Sequence, residues 1–464
     1  MLANGTSALI LALFFAELGV PDTRIGLFMT LTILGDVALS LFLTLVADHT
    51  LGRRRTLLVG SVLMIFSGAA FALSENYCLL LLAAVVGVIS ATGGDFGPFR
   101  AIEESMLASL TTAETRADVL AWYVTSASLG AALGSEISGR IVEILRERDG
   151  WTLADAYHAC FWLYTAMGTV NLLLSLLLTR NCELGQEDDA KGVTAAANPD
   201  EAEPLLVPQD NSSQAADNSP AANTSGKTLF AQISRETLSI MATMWILLMI
   251  DTFADGMVSM TLTMYYMDRK FHLAKSWLGD VLTSAYILAG FSTVFSGPLS
   301  RYIGLVNTMV FTHVPSSLAV LFFPLPSAAS LAVTLLLVRV GLNNMDQPPR
   351  SALIAAIVRP DERTAVNGIT STLRALASTI GPYATGVLAG GGKFWIAFVV
   401  AGSLRLVYDV GVFVMFINVN LHRHESSKVG QAARGNSSGA DAMNEDQLSN
   451  TQTRLNQEDD TARV

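Results

Sequence analysis

Apolar residues in this chain come in blocks about as long as a bilayer is thick, and polar residues collect between them. About twelve such blocks can be marked, near 2–18, 24–47, 56–74, 77–100, 118–139, 157–179, 237–266, 276–297, 305–323, 328–350, 364–389 and 394–418. A spanning helix needs roughly 20 mainly apolar residues, so each block predicts one crossing. The predicted class is an all-α polytopic membrane protein. Residues 181–236 interrupt the pattern: they are rich in Ala, Asn, Ser, Pro and acids, too polar to bury a core, and read as a disordered linker. The stretch 422–464 reads the same way. The expected organisation is thus a six-helix bundle over 1–180, the linker, a second six-helix bundle over 237–421 and a tail.

The two bundles carry a repeat. GGDFGPFRAIEESMLASLTTAETRADV (93–119) and NNMDQPPRSALIAAIVRPDERTAV (343–366) each read Asp, a polar turn with proline, Arg, an amphipathic stretch, then Glu and Arg. From Arg116 to Gly134 is 18 residues, and from Arg363 to Gly381 is 18 again. Asp48 and Gly52 fall opposite Ser300 and Gly304. A parallel repeat of this kind places sites at the interface near the midplane. It also makes the polar run LNNMDQPPRS (342–351) the lower section of the tenth helix rather than a loop.

ADHTLGRRR (47–55) follows the second block. Together with twelve spans and the 6+6 repeat it resembles the major facilitator superfamily, whose loop between helices 2 and 3 carries G-x-x-x-D-(R/K)-x-G-(R/K)-(R/K). Asp48, Gly52, Arg53 and Arg54 match in type. Thr44 stands at the leading glycine, His49 at the basic residue, and Thr50 with Leu51 lengthens the spacing by one. PDERTAVNG with the later GPYATG is similar to the start of helix 11 in drug-transporter-like branches. The resemblance implies a secondary transporter whose helices 1, 4, 7 and 10 line a central cavity, with Asp48, Gly52, Arg53, Arg54, Arg116 and Arg363 in a cytoplasmic gating motif. The antiporter pattern G-x-x-x-G-P of helix 5 has Ser135 at its proline. Gly130, Gly134, Gly381 and Pro382 are the expected helix-packing positions. The first helix is short for this family: Met1 begins almost inside it, leaving about 17 residues or ~26 Å.

Composition agrees with a bilayer: 51% of residues are hydrophobic and 15% charged, with a mean hydropathy of +0.44. Most of the net charge of -11 lies in 181–228, with nine acids against two lysines, and 422–464, with seven acids against five basic residues. No basic face remains for nucleic acid. Cys78, Cys160 and Cys182 are too scattered for a disulfide framework or zinc site. No phosphate-binding loop is present, and His49, His158, His272 and His313 lie apart from any nucleophile at motif spacing, so neither an ATP-driven pump nor an enzyme is expected, and no cofactor or metal. The first residues lack a basic n-region and do not read as a signal peptide. Arg180, Arg235 and Arg423 favour a cytoplasmic linker and cytoplasmic termini, which leaves the sequons at Asn211, Asn223 and Asn436 unmodified. EAEPLL (201–206) fits an acidic dileucine signal, so the plasma membrane or an endosomal or vacuolar membrane is expected.

Charges inside spans cost roughly 2.5–3.5 kcal/mol on insertion scales and need a partner, a wet cavity or a task. Asp251 and Asp255 in MIDTFADGMVSM are one turn apart on one face and are the leading proton or substrate site. The plain alternative is structural pairing with an arginine such as Arg339. Asp95 with Arg100, and Asp346 with Arg350, are five and four residues apart and suit ion pairs along helices 4 and 10, either in gating or as interfacial pairs. Asp36 lies near the midplane, with Arg374 as its expected mate across the halves. Arg405 and Asp409 are i,i+4 on helix 12, peripheral in the family, and read as structural. The function expected is alternating-access transport of a small organic solute by a monomer in the lipid bilayer, coupled to protons. The alternative is a sensor or scaffold, such as a truncated transporter form, acting through linker and tail.

Overall fold

The structure, a computed structural model, describes residues 1–46, 52–87, 89, 91, 100–112, 115–178, 234–358 and 362–416. Asp48, Asp95, the linker motifs, the sequons and the tail lie outside the described residues. The regular elements are helices: α1 (Leu2–Glu17), α2 (Asp22–Val46), α3 (Arg53–Leu73), α4 (Tyr77–Val86), α5 (Arg100–Leu110), α6 (Arg116–Arg146), α7 (Leu153–Leu177), α8 (Arg235–Met257), α9 (Met260–Phe271), α10 (Lys275–Ile303), α11 (Leu305–Phe322), α12 (Ala329–Asn343), α13 (Gln347–Ile357), α14 (Arg363–Gly390) and α15 (Phe394–Phe416).

These fifteen pieces occupy twelve spanning positions, because α4 with α5, α8 with α9 and α12 with α13 each share one. Among the described residues, seven positions are long and apolar enough to cross a bilayer on composition alone: α2, α3, α7, α8 with α9, α10, α11 and α15. The others fall short for visible reasons. Helix α1 has 16 residues, α6 and α14 carry many polar residues along 31 and 28 residues, and the tenth position is broken. There LNNMDQPPRS passes from α12 through a 3-10 turn at Asn344–Asp346 into α13, where proline sits in the first turn, the place its missing N–H costs least.

The repeat is built into the packing. Gly52 and Gly304 precede α3 and α11 with φ of 78° and 89° and ψ of 151° and 159°, a region open essentially to glycine. Each carbonyl then accepts from a threonine one turn on, Thr56 at 2.9 Å and Thr308 at 2.8 Å. Near one loop face, Phe14, Phe15, Phe71, Tyr157 and Phe161 cluster edge-on or tilted in the first half, and Tyr265, Tyr266, Phe323, Phe394 and Phe398 form the matching cluster in the second. The pairs Phe71–Phe161 and Phe323–Phe398 both have ring centroids 4.9 Å apart. Glycines set the helix approaches in both halves too: a Cβ on Gly5 would lie 1.9 Å from the Ala131 carbonyl oxygen, and one on Gly256 would lie 2.4 Å from that of Ser378.

The loop face bearing the α1–α2, α3–α4, α6–α7 and α9–α10 turns is here face A, and the opposite one face B. The halves meet through α2 on α14 and α6 on α10. Gly26 packs on Gly386, and Gly139 on Gly279, so tightly that a Cβ on either of the first two would clash with backbone. Polar joints accompany them. Asp22 takes bonds from Arg269 and from Tyr265, the latter at 2.6 Å. Arg140 bridges Asp280 at 3.1 Å, Glu143 accepts from the Lys275 backbone at 3.1 Å, and Thr30 donates to the Thr379 carbonyl at 2.7 Å. These joints lie between mid-helix and face A.

Candidate functional site

The second bundle holds a buried ionic network at mid-depth, assembled from α8, α11, α12, α13, α15 and the 3-10 turn. Asp251 and Asp255 do share one face of α8. Arg405 of α15, wholly buried, bonds to Asp255 and to the side chain of Asn343, and its Nη2 lies 2.9 Å from His313 Nε2 and 3.2 Å from Ser316 Oγ. His313 Nδ1 is 2.6 Å from Asp409 Oδ1, and Ser317 Oγ is 2.8 Å from Asp409 Oδ2. His313 Nε2 also faces Asp251 Oδ1 at 3.6 Å. Arg350 reaches Asp346 at 3.2 Å and Asp251 at 3.9 Å. Tyr408 sets its ring edge-on to the imidazole, with centroids 5.4 Å apart. Asp255 alone of these acids opens outward: its side chain is 37% exposed, against 4% for Asp251 and 1% for Asp409.

Arg339 takes a different place from the expected one. Its guanidinium donates to the Val258 carbonyl at 2.6 Å and to Thr263 Oγ1 at 3.1 Å, sealing the break where α8 ends and α9 begins. The break frees backbone oxygens at membrane depth, where water is absent, and the arginine and threonine satisfy them. Arg405 is therefore the partner of Asp255. Arg405 and Asp409, expected as structural residues spaced i,i+4, face Asp255 and His313 on other helices. His313 was passed over because it stands alone in sequence. An ionisable residue in an otherwise apolar span, here in FTHVPSS, was the available signal.

The remaining expected residues scatter. The Asp346–Arg350 pair forms as predicted. Its counterpart is half hidden, since Asp95 lies outside the described residues and Arg100 is described only in its backbone, opening α5. Asp36 is not joined to Arg374: its Oδ1 is buried without a hydrogen bond, and it lies within electrostatic reach of Tyr164 on α7. In the gating motif Gly52 turns the chain, Arg53 is buried, Arg54 donates to the Leu176 carbonyl at 2.8 Å, and Arg116 and Arg363 both open helices. Gly130, Gly134 and Gly381 pack as expected. A Cβ there would lie 3.1 Å from Met1 Cβ, 1.9 Å from the Leu2 carbonyl oxygen and 2.4 Å from the Gly256 carbonyl carbon respectively. Pro382 presents its carbonyl to Gly26. Among the described residues no group of acids, histidines and cysteines has the arrangement of a metal site.

Comparison with known proteins agrees with this architecture. The family model described as "Major Facilitator Superfamily" matches residues 1–234 and 244–448. The uncharacterized membrane protein YJR124C of Saccharomyces cerevisiae is 30% identical over 423 residues, covering 90% of this chain and 92% of that protein. Among solved structures, the nucleoside transporter NupG superposes with a TM-score of 0.64 at 11% identity, over 89% of this chain and 95% of that one. A bacterial homologue of the human lysosomal transporter Spinster, inward-facing and occupied, gives 0.63 at 12% identity, over 89% and 93%. The xylose transporter XylE from E. coli, partially occluded and inward open, gives 0.59 at 12%, over 90% and 95%. At such identities these structures speak for the fold, whereas the family model spans both halves of the chain. With its twelve spanning positions in two repeated bundles, the chain belongs to the major facilitator superfamily.

Proposed function

We propose that this protein is a proton-coupled secondary transporter that carries a small organic solute by alternating exposure of a site between its two bundles. Family membership supports membrane transport. The observation that carries proton coupling is the buried network around Asp251 and Asp255. Charges at this depth are costly and keep their place where they bind or move ions. The network meets accessible surface at one acid, Asp255, and that acid is tied to the wholly buried Arg405. Protons or solute arriving at Asp255 thus perturb an ion pair that reaches through the bundle to α11 and α13. The joints at face A are those of a transporter closed on that side.

The test is uptake into proteoliposomes of purified full-length protein. A panel of radiolabelled nucleosides, pentoses and organic cations supplies the probes, with and without an imposed pH gradient. We expect one member to accumulate only with the gradient, and Asp251→Asn to remove accumulation while leaving gradient-free exchange. Accumulation by Asp251→Asn equal to the parent would refute the coupling assignment. Absence of uptake for every solute class, in a protein shown to be folded, would instead favour a non-transporting role.

A further inference from the structure

One ring nitrogen in this network stands between partners of opposite demand. A guanidinium offers only N–H donors, so His313 Nε2, 2.9 Å from Arg405 Nη2, must accept there. The ring proton then sits on Nδ1 and is donated to Asp409 Oδ1 at 2.6 Å. The imidazole is neutral in this arrangement. Beyond the same Nε2 lies Asp251 Oδ1, 3.6 Å away and without a hydrogen bond of its own. A second proton on the ring converts Nε2 from acceptor to donor. It can then no longer receive Arg405, and Asp251 Oδ1 is the acid waiting for it.

We infer that His313 Nε2 is the proton-binding atom of the transport cycle and that Arg405 transmits its occupancy to Asp255; this rests on the proton-coupled reading above. The step is a simple protonation: imidazole plus a proton gives imidazolium, Nε2–H turns to Asp251 Oδ1, and the Arg405–Nε2 bond is lost. Arg405 keeps Asp255, Asn343 and Ser316, so the change is felt at the exposed acid.

The surroundings fit that exchange on every side. Helix α8 presents Asp251 and Asp255, and α11 itself presents Ser316 and Ser317. The turn and α13 supply Asp346 and Arg350, and α15 supplies Arg405, Tyr408 and Asp409. Contacts within 4.0 Å thus join four carboxylates to two guanidiniums and the imidazole, a set in which an added positive charge is welcome. Arg339 on α12 and Arg374 on α14 add positive field at Asp255 from farther off. His313 is only 2% exposed, so its proton must arrive past Asp255 and Arg405 rather than directly from bulk water.

The experiment uses the full-length protein in nanodiscs and needs no solute. Histidine labelled with carbon-13 at Cε1 gives six signals, and the His313 signal is assigned as the one left when the other five histidines are replaced. It should move from the neutral to the charged position between about pH 5 and 8, and Asp409→Asn should shift that midpoint. In parallel, spin labels at Thr112 and Arg301 on face B report the spacing of the halves against pH. The parent should show a pH-dependent change in spacing that His313→Gln loses and His158→Gln, in the other half, retains. A His313 signal that stays in one form over that range overturns the inference. So does a His313→Gln variant with the full change in spacing. If Asp251→Asn loses the change while His313→Gln keeps it, proton coupling stands and the proton belongs to the carboxylate. A parent whose spacing ignores pH refutes coupling itself.

Discussion

The two halves share a frame and differ in what fills it at mid-depth. Their aromatic layers near face A correspond position by position, with Phe71 on Phe161 in one and Phe323 on Phe398 in the other at the same separation of 4.9 Å. One layer down the equivalence continues in position and fails in chemistry. Where α15 carries Arg405 against Ser316, α7 carries Gly168, whose Cβ position lies 3.0 Å from Ile65 and 3.2 Å from Met64. Ser61 stands where the other half has His313, and Leu172 where it has Asp409. At these positions the first half closes the same bundle geometry without ionised groups, Asn171 donating to Ser61 at 3.0 Å, so this part of the frame does not depend on buried charge. Charges placed where an uncharged solution exists are weak evidence for stability and point to function.

The comparison can be broken most severely through the glycines. Gly134→Val puts a branched side chain where even a Cβ lies 1.9 Å from the Leu2 carbonyl oxygen. Loss of the monodisperse peak in size-exclusion chromatography is expected, because backbone cannot yield as a side chain does. Next come Phe71→Ala and Phe323→Ala. Each should lower stability by about 3–5 kcal/mol and by amounts within about 1 kcal/mol of each other, measured by denaturant titration in detergent. A large difference would show the repeat to be geometric only.

Arg405→Leu leaves Asp255 and the His313–Asp409 pair without their cation and should cost about 3–5 kcal/mol. Combining it with Asp255→Asn, His313→Ser and Asp409→Leu, which removes the charged partners of Arg405 and of His313, should recover most of that loss while abolishing proton-dependent accumulation. Recovery of stability without loss of coupling would contradict the functional reading of the network. The smallest effects belong to Thr56→Val and Thr308→Val, each removing one hydroxyl bond to a helix-starting glycine. A fall of about 1 kcal/mol in both, seen as matched decreases in Tm, is expected.

Much of the frame was legible in the residues. Block length marked the twelve positions, and the spacing from Arg116 to Gly134, repeated from Arg363 to Gly381, located both the repeat and two close helix contacts. Asp251, Asp255, Asp346 and Arg350 stood out because charge within an apolar span is conspicuous. What sequence order could not convey is adjacency between helices. Periodicity tells which face of α15 carries Arg405 and Asp409 but not that α8 and α11 lie against it, so their partners Asp255 and His313 are not legible there. His313 is hidden for the same reason, since its charged partners come from 62 to 96 residues away. Arg339 was misassigned because no pattern in the chain announced that α8 would stop at Met257 and leave a carbonyl to be satisfied.

That stop has a mechanical side. Past Val258 and Ser259 the chain resumes as α9, which packs on α1 and holds Asp22 of α2 through Tyr265 and Arg269. The outer third of the seventh position therefore clasps both bundles: Tyr266 packs on Phe323 and Phe398 of the second, Lys270 donates to the Pro324 carbonyl, and Tyr265 and Arg269 hold Asp22 of the first. Any parting of the bundles at face A must therefore strip α9 from one of its two sides, at Asp22 of the first half or at the aromatic layer of the second. The seam between the halves is thus crossed by one helix that belongs to both sides of it.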